Sequence, residues 1–209
     1  MPPSREDHLS YLRQALDLAR RSPPKPTNFR VGALLVACPH NDPNSARILS
    51  SGYTLELEGN THAEQCALMK LASMNSVAES EISKVLTPGL NAVLYTTLEP
   101  CGKRQSGNTS CVQRIINSRA ESAGGIRRVI FGAKEPGTFV KDSQSCQMMT
   151  DAGVDWEYIG DLQDEILVVA KEGQKQETNV DDISPEERKR QEEAPRNPKK
   201  RMMEAPVGR

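Results

Sequence analysis

The sequence predicts an α/β protein, a three-layer α/β/α sandwich around a mixed sheet. Helix-period and strand-type segments alternate along the first 160 residues, the pattern of layered α/β folds. The run Val31-Gly32-Ala33-Leu34-Leu35-Val36-Ala37 is continuously apolar, as a strand covered on both faces must be. All eight aromatic residues precede Asp161, whereas Asp161 to Arg209 carries 10 Lys+Arg and 12 Asp+Glu. The core therefore belongs to residues 1–160, and the charged segment 161–209 reads as a helix followed by a partly disordered tail.

Each element follows from its local pattern. Residues 6–21 read as a helix, with Leu9, Leu12, Leu16 and Ala19 at helical spacing and Ser22-Pro23-Pro24 as its stop. The apolar run 31–37 is a strand, Pro39 to Asn44 a turn, and 46–53 a second strand antiparallel to the first. A helix opens near Thr61 with an apolar face of Ala67, Leu68, Leu71 and Ala72, and Thr61 with Glu64 has the capping-box pattern. Asn91 to Thr97 is a strand and 100–110 a polar loop. Cys111 to Asn117 opens a helix, and Gly124-Gly125 breaks the chain before the strand Arg127–Gly132. Residues 143–152 read as a helix and 155–158 as a short last strand. Asp161 to Ala170 offers one more helix through Leu162, Ile166, Val169 and Ala170.

Composition removes several functional classes. With 27 Lys+Arg against 28 Asp+Glu the net charge is −1, which leaves no electrostatic footprint for nonspecific nucleic-acid binding. No apolar run reaches the ~18 residues of a membrane span, and Met1 to His8 lacks the apolar core of a secretory signal. A cytoplasmic location is expected, with a nuclear one as the alternative. Pro198-Lys199-Lys200-Arg201-Met202 resembles a basic localisation signal, although a solvated charge run is the plainer reading. The five cysteines are odd in number, so metal ligation or buried thiols are preferred to a disulfide framework.

Two segments carry chemistry: His62-Ala63-Glu64, and Thr97-Leu98-Glu99-Pro100-Cys101 followed after nine residues by Cys111. Alone, each residue has an ordinary explanation as a cap, a buried thiol or a first-turn acid. Together they match the His-x-Glu…Pro-Cys…Cys pattern of zinc deaminases, with a longer second spacing than Cys-x2-Cys. One imidazole and two thiolates leave the fourth tetrahedral position of Zn²⁺ open to water. His62, Cys101 and Cys111 are thus the candidate zinc ligands. Glu64 is the candidate general acid/base: it takes the proton from the zinc-bound water, protonates a ring nitrogen, and in a separate transfer protonates the departing amine. Cys38, Cys66 and Cys146 are read as structural thiols.

With Asn28-Phe29-Arg30-Val31-Gly32, Gly52-Tyr53, Glu135-Pro136-Gly137 and Ala152-Gly153-Val154, these motifs resemble the cytidine deaminase superfamily over about residues 8–160. Within it the chain is most similar to the deaminase of riboflavin biosynthesis in its fungal form, because that family carries a long loop between the two cysteines. Bacterial deaminase-reductases resemble it more distantly, and their His-His-Gly-Arg loop is replaced here by Lys103-Arg104-Gln105-Ser106-Gly107. The resemblance implies a cytidine-deaminase-like fold and a homo-oligomer, a dimer. It implies removal of the 2-amino group from a 2,5-diamino-6-(ribosyl or ribityl)amino-4(3H)-pyrimidinone 5′-phosphate. It also places Asn28 at the pocket and Glu135 at a substrate-orienting acidic position. Lys103 and Arg104 are assigned to the phosphate because a dianion needs charge-assisted donors. The charged tail offers no dinucleotide-binding element, so a deaminase without a reductase is expected.

Three other readings compete. A cytidine or dCMP deaminase fits Asn28-Phe29-Arg30-Val31-Gly32 but not the long cysteine spacing. A nucleic-acid (tRNA) deaminase wants a basic, aromatic surface, and residues 1–160 hold 17 basic and 16 acidic groups. A silent zinc-stabilised scaffold gains little from Glu64.

Overall fold

The computed structural model describes residues 3–39, 45–104, 107–119, 124–134 and 144–174. Helix α1 (Arg5–Ala19) starts at Ser4, whose hydroxyl accepts from the Asp7 amide while the Asp7 carboxylate accepts from the Ser4 amide. This reciprocal pair satisfies two donors that every helix start leaves open. Strand β1 (Gly32–Ala37) is buried at all six positions, and β2 (Arg47–Tyr53) pairs with it antiparallel. Helix α2 (Ala63–Met74) follows, then two short 3-10 turns at Glu79–Lys84 and Pro88–Leu90 that the sequence reading did not contain. Strand β3 (Ala92–Leu98), helix α3 (Cys111–Asn117), strand β4 (Ile126–Ala133), helix α4 (Gln144–Asp151), strand β5 (Asp155–Tyr158) and helix α5 (Gln163–Lys171) complete the order.

The sheet runs β2-β1-β3-β4-β5. The β1/β2 and β1/β3 pairs are antiparallel, and β3/β4 and β4/β5 are parallel, so the sheet is mixed as expected. Alternate residues of β1 serve opposite cores. Ala33 and Leu35 pack with Leu68, Leu71, Val112, Ile115 and Met149 of α2, α3 and α4. Leu34 and Val36 pack with Leu12, Ala15, Leu16 and Ile166 of α1 and α5. Burial on both faces explains why β1 reads as one apolar run rather than an alternation. On the α1 side, buried His8 Nδ1 and the Tyr95 hydroxyl share a hydrogen bond of 2.8 Å.

Helix α5 packs against β4 and α1, and one compact unit spans Met1–Gln174. Residues 40–44 of the expected turn Pro39–Asn44, Glu135 and the tail from Lys175 onward lie outside the described residues. Among the described residues no helix is long and apolar enough to cross a membrane.

The expected capping box at Thr61 and Glu64 is not formed. His62 is the N-cap of α2 and makes no side-chain cap bond, while the Thr61 hydroxyl donates to Leu57 O at 3.0 Å. The start is displaced by one residue, so Glu64 becomes the second helical residue, and its carboxylate turns inward instead of back to the cap.

Candidate active site

Three backbone junctions bring the chemistry together. The first is the end of β3. Pro100 has no amide to donate, so the strand stops there and Cys101 turns out of the sheet. The ladder is extended by one bond before the turn, from Glu99 N to Ala133 O at 2.9 Å. The second junction is the start of α3. The Ser110 hydroxyl accepts from Gln113 N at 3.2 Å and fixes Cys111 as the first helical residue. The amide of Cys111 then points at the Cys101 sulfur, 3.5 Å away, and Val112 N donates to Cys101 O at 3.2 Å. The third is the start of α2, where His62 holds an extended backbone (φ −92°, ψ 161°). Gly52 of β2 lets that helix sit directly on the sheet, because a side chain there would meet Ala63 O.

The result is a compact donor set. His62 Nδ1 lies 3.6 Å from Cys101 Sγ and 3.4 Å from Cys111 Sγ, and all three donor atoms lie within 4.8 Å of one another. Zinc bonds of about 2.3 Å to sulfur and about 2.0–2.1 Å to nitrogen at tetrahedral angles put N and S roughly 3.5 Å apart, so the residues fit that ion. Among the described residues this is the one His/Cys/Asp/Glu group with metal-binding geometry. The thiols assigned to the core are elsewhere: Cys38, Cys66 and Cys146 are buried outside the cluster. Cys66 is fully covered, and the Cys146 thiol donates to Glu99 Oε1 at 3.6 Å.

Without metal the two cysteines share a proton unequally. The hydrogen bond from Cys111, helped by His62 against the cost of burial, brings Cys101 down to about 4. The same bond, with burial, pushes Cys111 well above the ordinary thiol value. Burial alone would lower His62, but its bond to Cys101 and the Glu64 charge outweigh it and the net shift is upward. Glu64 is 3% exposed and its Oε2 accepts from Cys111 Sγ at 3.3 Å. Burial raises its pKa, with His62 offsetting part of the shift. A carboxyl group whose pKa is raised by burial holds a proton more readily, which suits a group that must return one.

A cavity of about 580 Å³ opens beside the cluster, lined by His62, Glu64 and Cys101 and by Asn28, Lys103 and Arg104. Six of the sequence-derived candidates therefore share one cavity, while Cys111 is fully buried and bonded to Glu64 without lining it. Glu135 is outside the described residues. Arg104 is buried, and its guanidinium donates to Gln65 Oε1 at 3.0 Å and to Asn60 O at 2.5 Å. It is thus a strut between two loops as well as a cation. Lys103 is exposed at the rim. Asn28 Nδ2 donates to Asn60 Oδ1 at 2.8 Å, and the Thr27 hydroxyl donates to Asn28 Oδ1 at 2.8 Å. Sequence reasoning missed Thr27, Phe29, Val31, Thr54, Asn60, Leu98 and Glu99 as lining residues. Glu99 and Phe29 stood inside quoted motifs and were open to inference, whereas Thr54 and Asn60 are isolated loop residues with no pattern to mark them.

An imidazole and two sulfurs around one point, with a buried carboxylate at the edge of an open cavity, match the residue pattern of zinc-dependent deaminases. The chain belongs to the family described as the cytidine and deoxycytidylate deaminase zinc-binding region, whose model matches residues 5–133. A curated relative, the diaminohydroxyphosphoribosylamino-pyrimidine deaminase of Schizosaccharomyces pombe, is 32% identical over 148 residues. That match covers 71% of this chain and 31% of the relative, so the chain spans about a third of that protein's length. Among solved structures, a C-terminal deletion mutant of the Aspergillus oryzae Rib2 deaminase is 51% identical with a TM-score of 0.73, covering 80% of this chain and 92% of the other. The same deaminase in complex with DARIPP gives 51% and 0.74 over the same shares. A Thermotoga maritima deaminase/reductase shares the fold at 23% identity and a TM-score of 0.57, over 78% of this chain and 39% of its own.

Proposed function

We propose that the chain is a deaminase of riboflavin biosynthesis. In this reading it hydrolyses the 2-amino group of a 2,5-diamino-6-(ribosyl or ribityl)amino-4(3H)-pyrimidinone 5′-phosphate. The observation that carries the reading is the buried Glu64 carboxylate, 3.3 Å from the Cys111 sulfur, in a cavity that also presents His62 and Cys101. The activity named for the S. pombe relative and the DARIPP complex of the A. oryzae relative support the substrate class.

His62, Cys101 and Cys111 are the proposed zinc ligands. Bound there, zinc supplies a Lewis acid that lets water act as a nucleophile near neutral pH. Glu64 would take a first proton from the attacking water and pass it to the ring nitrogen beside the amino-bearing carbon. It would then take the second proton from the hydroxyl now on that carbon and hand it to the departing amine. The water oxygen ends as the ring carbonyl and the nitrogen leaves as ammonia. Asn28 holds the ring or polyol through the N–H and lone pair that Thr27 and Asn60 leave open. Arg104 and Lys103 set a positive potential at the phosphate end, and Glu135 is kept as a substrate-orienting residue. A homodimer is part of the proposal, on the superfamily resemblance.

The test is ammonia release from the pyrimidinone phosphate, cytidine and dCMP, for the wild type and Glu64→Ala. We expect turnover of the pyrimidinone alone, and a fall of roughly 10²–10⁴-fold in Glu64→Ala with its zinc retained, the usual scale for a lost acid/base group. Preference for cytidine or dCMP overturns the substrate, and unchanged turnover in Glu64→Ala overturns the role of the carboxylate.

A further inference from the structure

Arg30 is buried, yet it does not face the cavity. Its Nε donates to Ser22 O at 2.7 Å, and its Nη2 donates to Arg20 O. Its Nη1 pairs with the Glu172 carboxylate, and the Arg30 side chain is only 8% exposed. Arg20 and Ser22 stand at the end of α1, where carbonyls lack intrahelical N–H donors and attract a cation. The main chain joins in, Arg30 N donating to Ala170 O at 3.0 Å. Just beyond, Gly173 (φ +86°) lies so close to the Pro24–Lys25 backbone that a Cβ would sit 2.7 Å from Pro24 C.

The neighbours of Arg30 point the other way. Thr27, Asn28, Phe29 and Val31 all line the cavity. On the far side this wall is held by Thr54, whose hydroxyl accepts from Val31 N at 3.0 Å. From this juxtaposition we infer that Arg30 is a positioning residue, which with Glu172 ties the 27–31 wall to the ends of α1 and α5 and so sets where Asn28 meets substrate. The planar fork suits the task, because three partners in different directions fix its plane, and lysine cannot reproduce that. The inference rests on the substrate role proposed for Asn28. It also makes α5, beyond the family match at 5–133, a part of the active-site scaffold.

The experiment uses the full chain with Arg30→Met, Arg30→Lys, Glu172→Gln and the double variant Arg30→Met/Glu172→Gln. A misplaced wall weakens substrate binding without touching the acid/base step, so KM should rise about tenfold in Arg30→Met and about threefold in Glu172→Gln, with kcat held within about twofold. Zinc content should stay at the wild-type value. Glu172→Gln should add nothing in the Arg30→Met background, because the pair acts as one unit. Should Arg30→Met fail to fold, Arg30→Lys carries the same expectation at smaller size. Amide exchange read by mass spectrometry is independent of the substrate. Segment 25–31 should exchange faster in Glu172→Gln while 63–74 is unchanged, and this holds even if the wild type turns over another pyrimidine. Unchanged exchange at 25–31 overturns the inference. So does a fall in kcat or zinc content at constant KM, which would place the effect on the cluster and not on the wall.

Discussion

Replacing Gly52 with alanine should damage the metal site from the sheet side. An added Cβ would lie 2.2 Å from Ala63 O, 2.6 Å from Ala67 N and 2.8 Å from Cys66 Cβ. Ordinary contact begins near 3.4 Å, and the first two obstacles are backbone, so no rotamer change relieves them. Strand and helix must separate by about 1 Å, an overpacking of the kind that costs about 1–3 kcal/mol. For a folded unit of this size each kcal/mol lowers Tm by about 2–4 °C, so a drop of roughly 2–12 °C is expected. The helix that moves is α2, which carries His62 and Glu64, and a misplacement of about 1 Å at a reacting group can cost about 10²-fold in rate. Gly32→Ala is the control. Its Cβ would lie 1.9 Å from Ala15 O, on the α1 side of the sheet and away from α2. Calorimetry, zinc content and kcat per folded molecule should therefore separate the two: both variants lose Tm, and only Gly52→Ala loses kcat and zinc. A Gly52→Ala protein with wild-type Tm and kcat would refute the close approach of β2 and α2 on which the reasoning stands.

Other outcomes follow from the same geometry. In metal-free protein, Cys101 is the thiolate and Cys111 the protonated partner, so iodoacetamide at about pH 6 should alkylate Cys101 well before Cys111. Peptide mass spectrometry reads the order, and zinc should suppress both reactions. Burial raises the Glu64 pKa above its unfolded value, so the folded state binds the extra proton and the stability contribution is present at low pH and lost as pH rises through the folded pKa. Metal-free Glu64→Gln should therefore melt higher than metal-free wild type near pH 8, with the gap closing near pH 4. Lys134→Met leaves the Glu99 carboxylate, 3.7 Å away and 2% exposed, without its buried cation and should cost about 3–5 kcal/mol in urea unfolding. Adding Glu99→Gln should recover part of that loss.

The sequence revealed most where one residue type repeats at a fixed period. The five strands and α1 to α5 were all foreseen within a residue or two, because burial on one or two faces imposes that period. His62, Glu64, Cys101 and Cys111 were legible because a metal and a proton carrier require rare residue types. The 3-10 turns at Glu79–Lys84 and Pro88–Leu90 were not, since a single turn is too short to show a period. The start of α2 was misjudged because Thr61 and Glu64 satisfy the capping pattern locally, while the carboxylate is drawn inward by the cluster. The Glu99–Lys134 and Arg30–Glu172 pairs stayed hidden because their partners are far apart in the chain and meet only after folding.

The two sulfur donors are placed by different means, Cys101 by the end of β3 and Cys111 by the Ser110 cap of α3. Neither anchor depends on how many residues run between them. Chain closure grows costlier only with the logarithm of length. Apart from the Arg104 strut, the stretch from Gly102 to Thr109 can therefore vary in length and sequence while the reacting centre keeps its shape. A fold arranged this way can retune one side of its cavity without moving the metal donors.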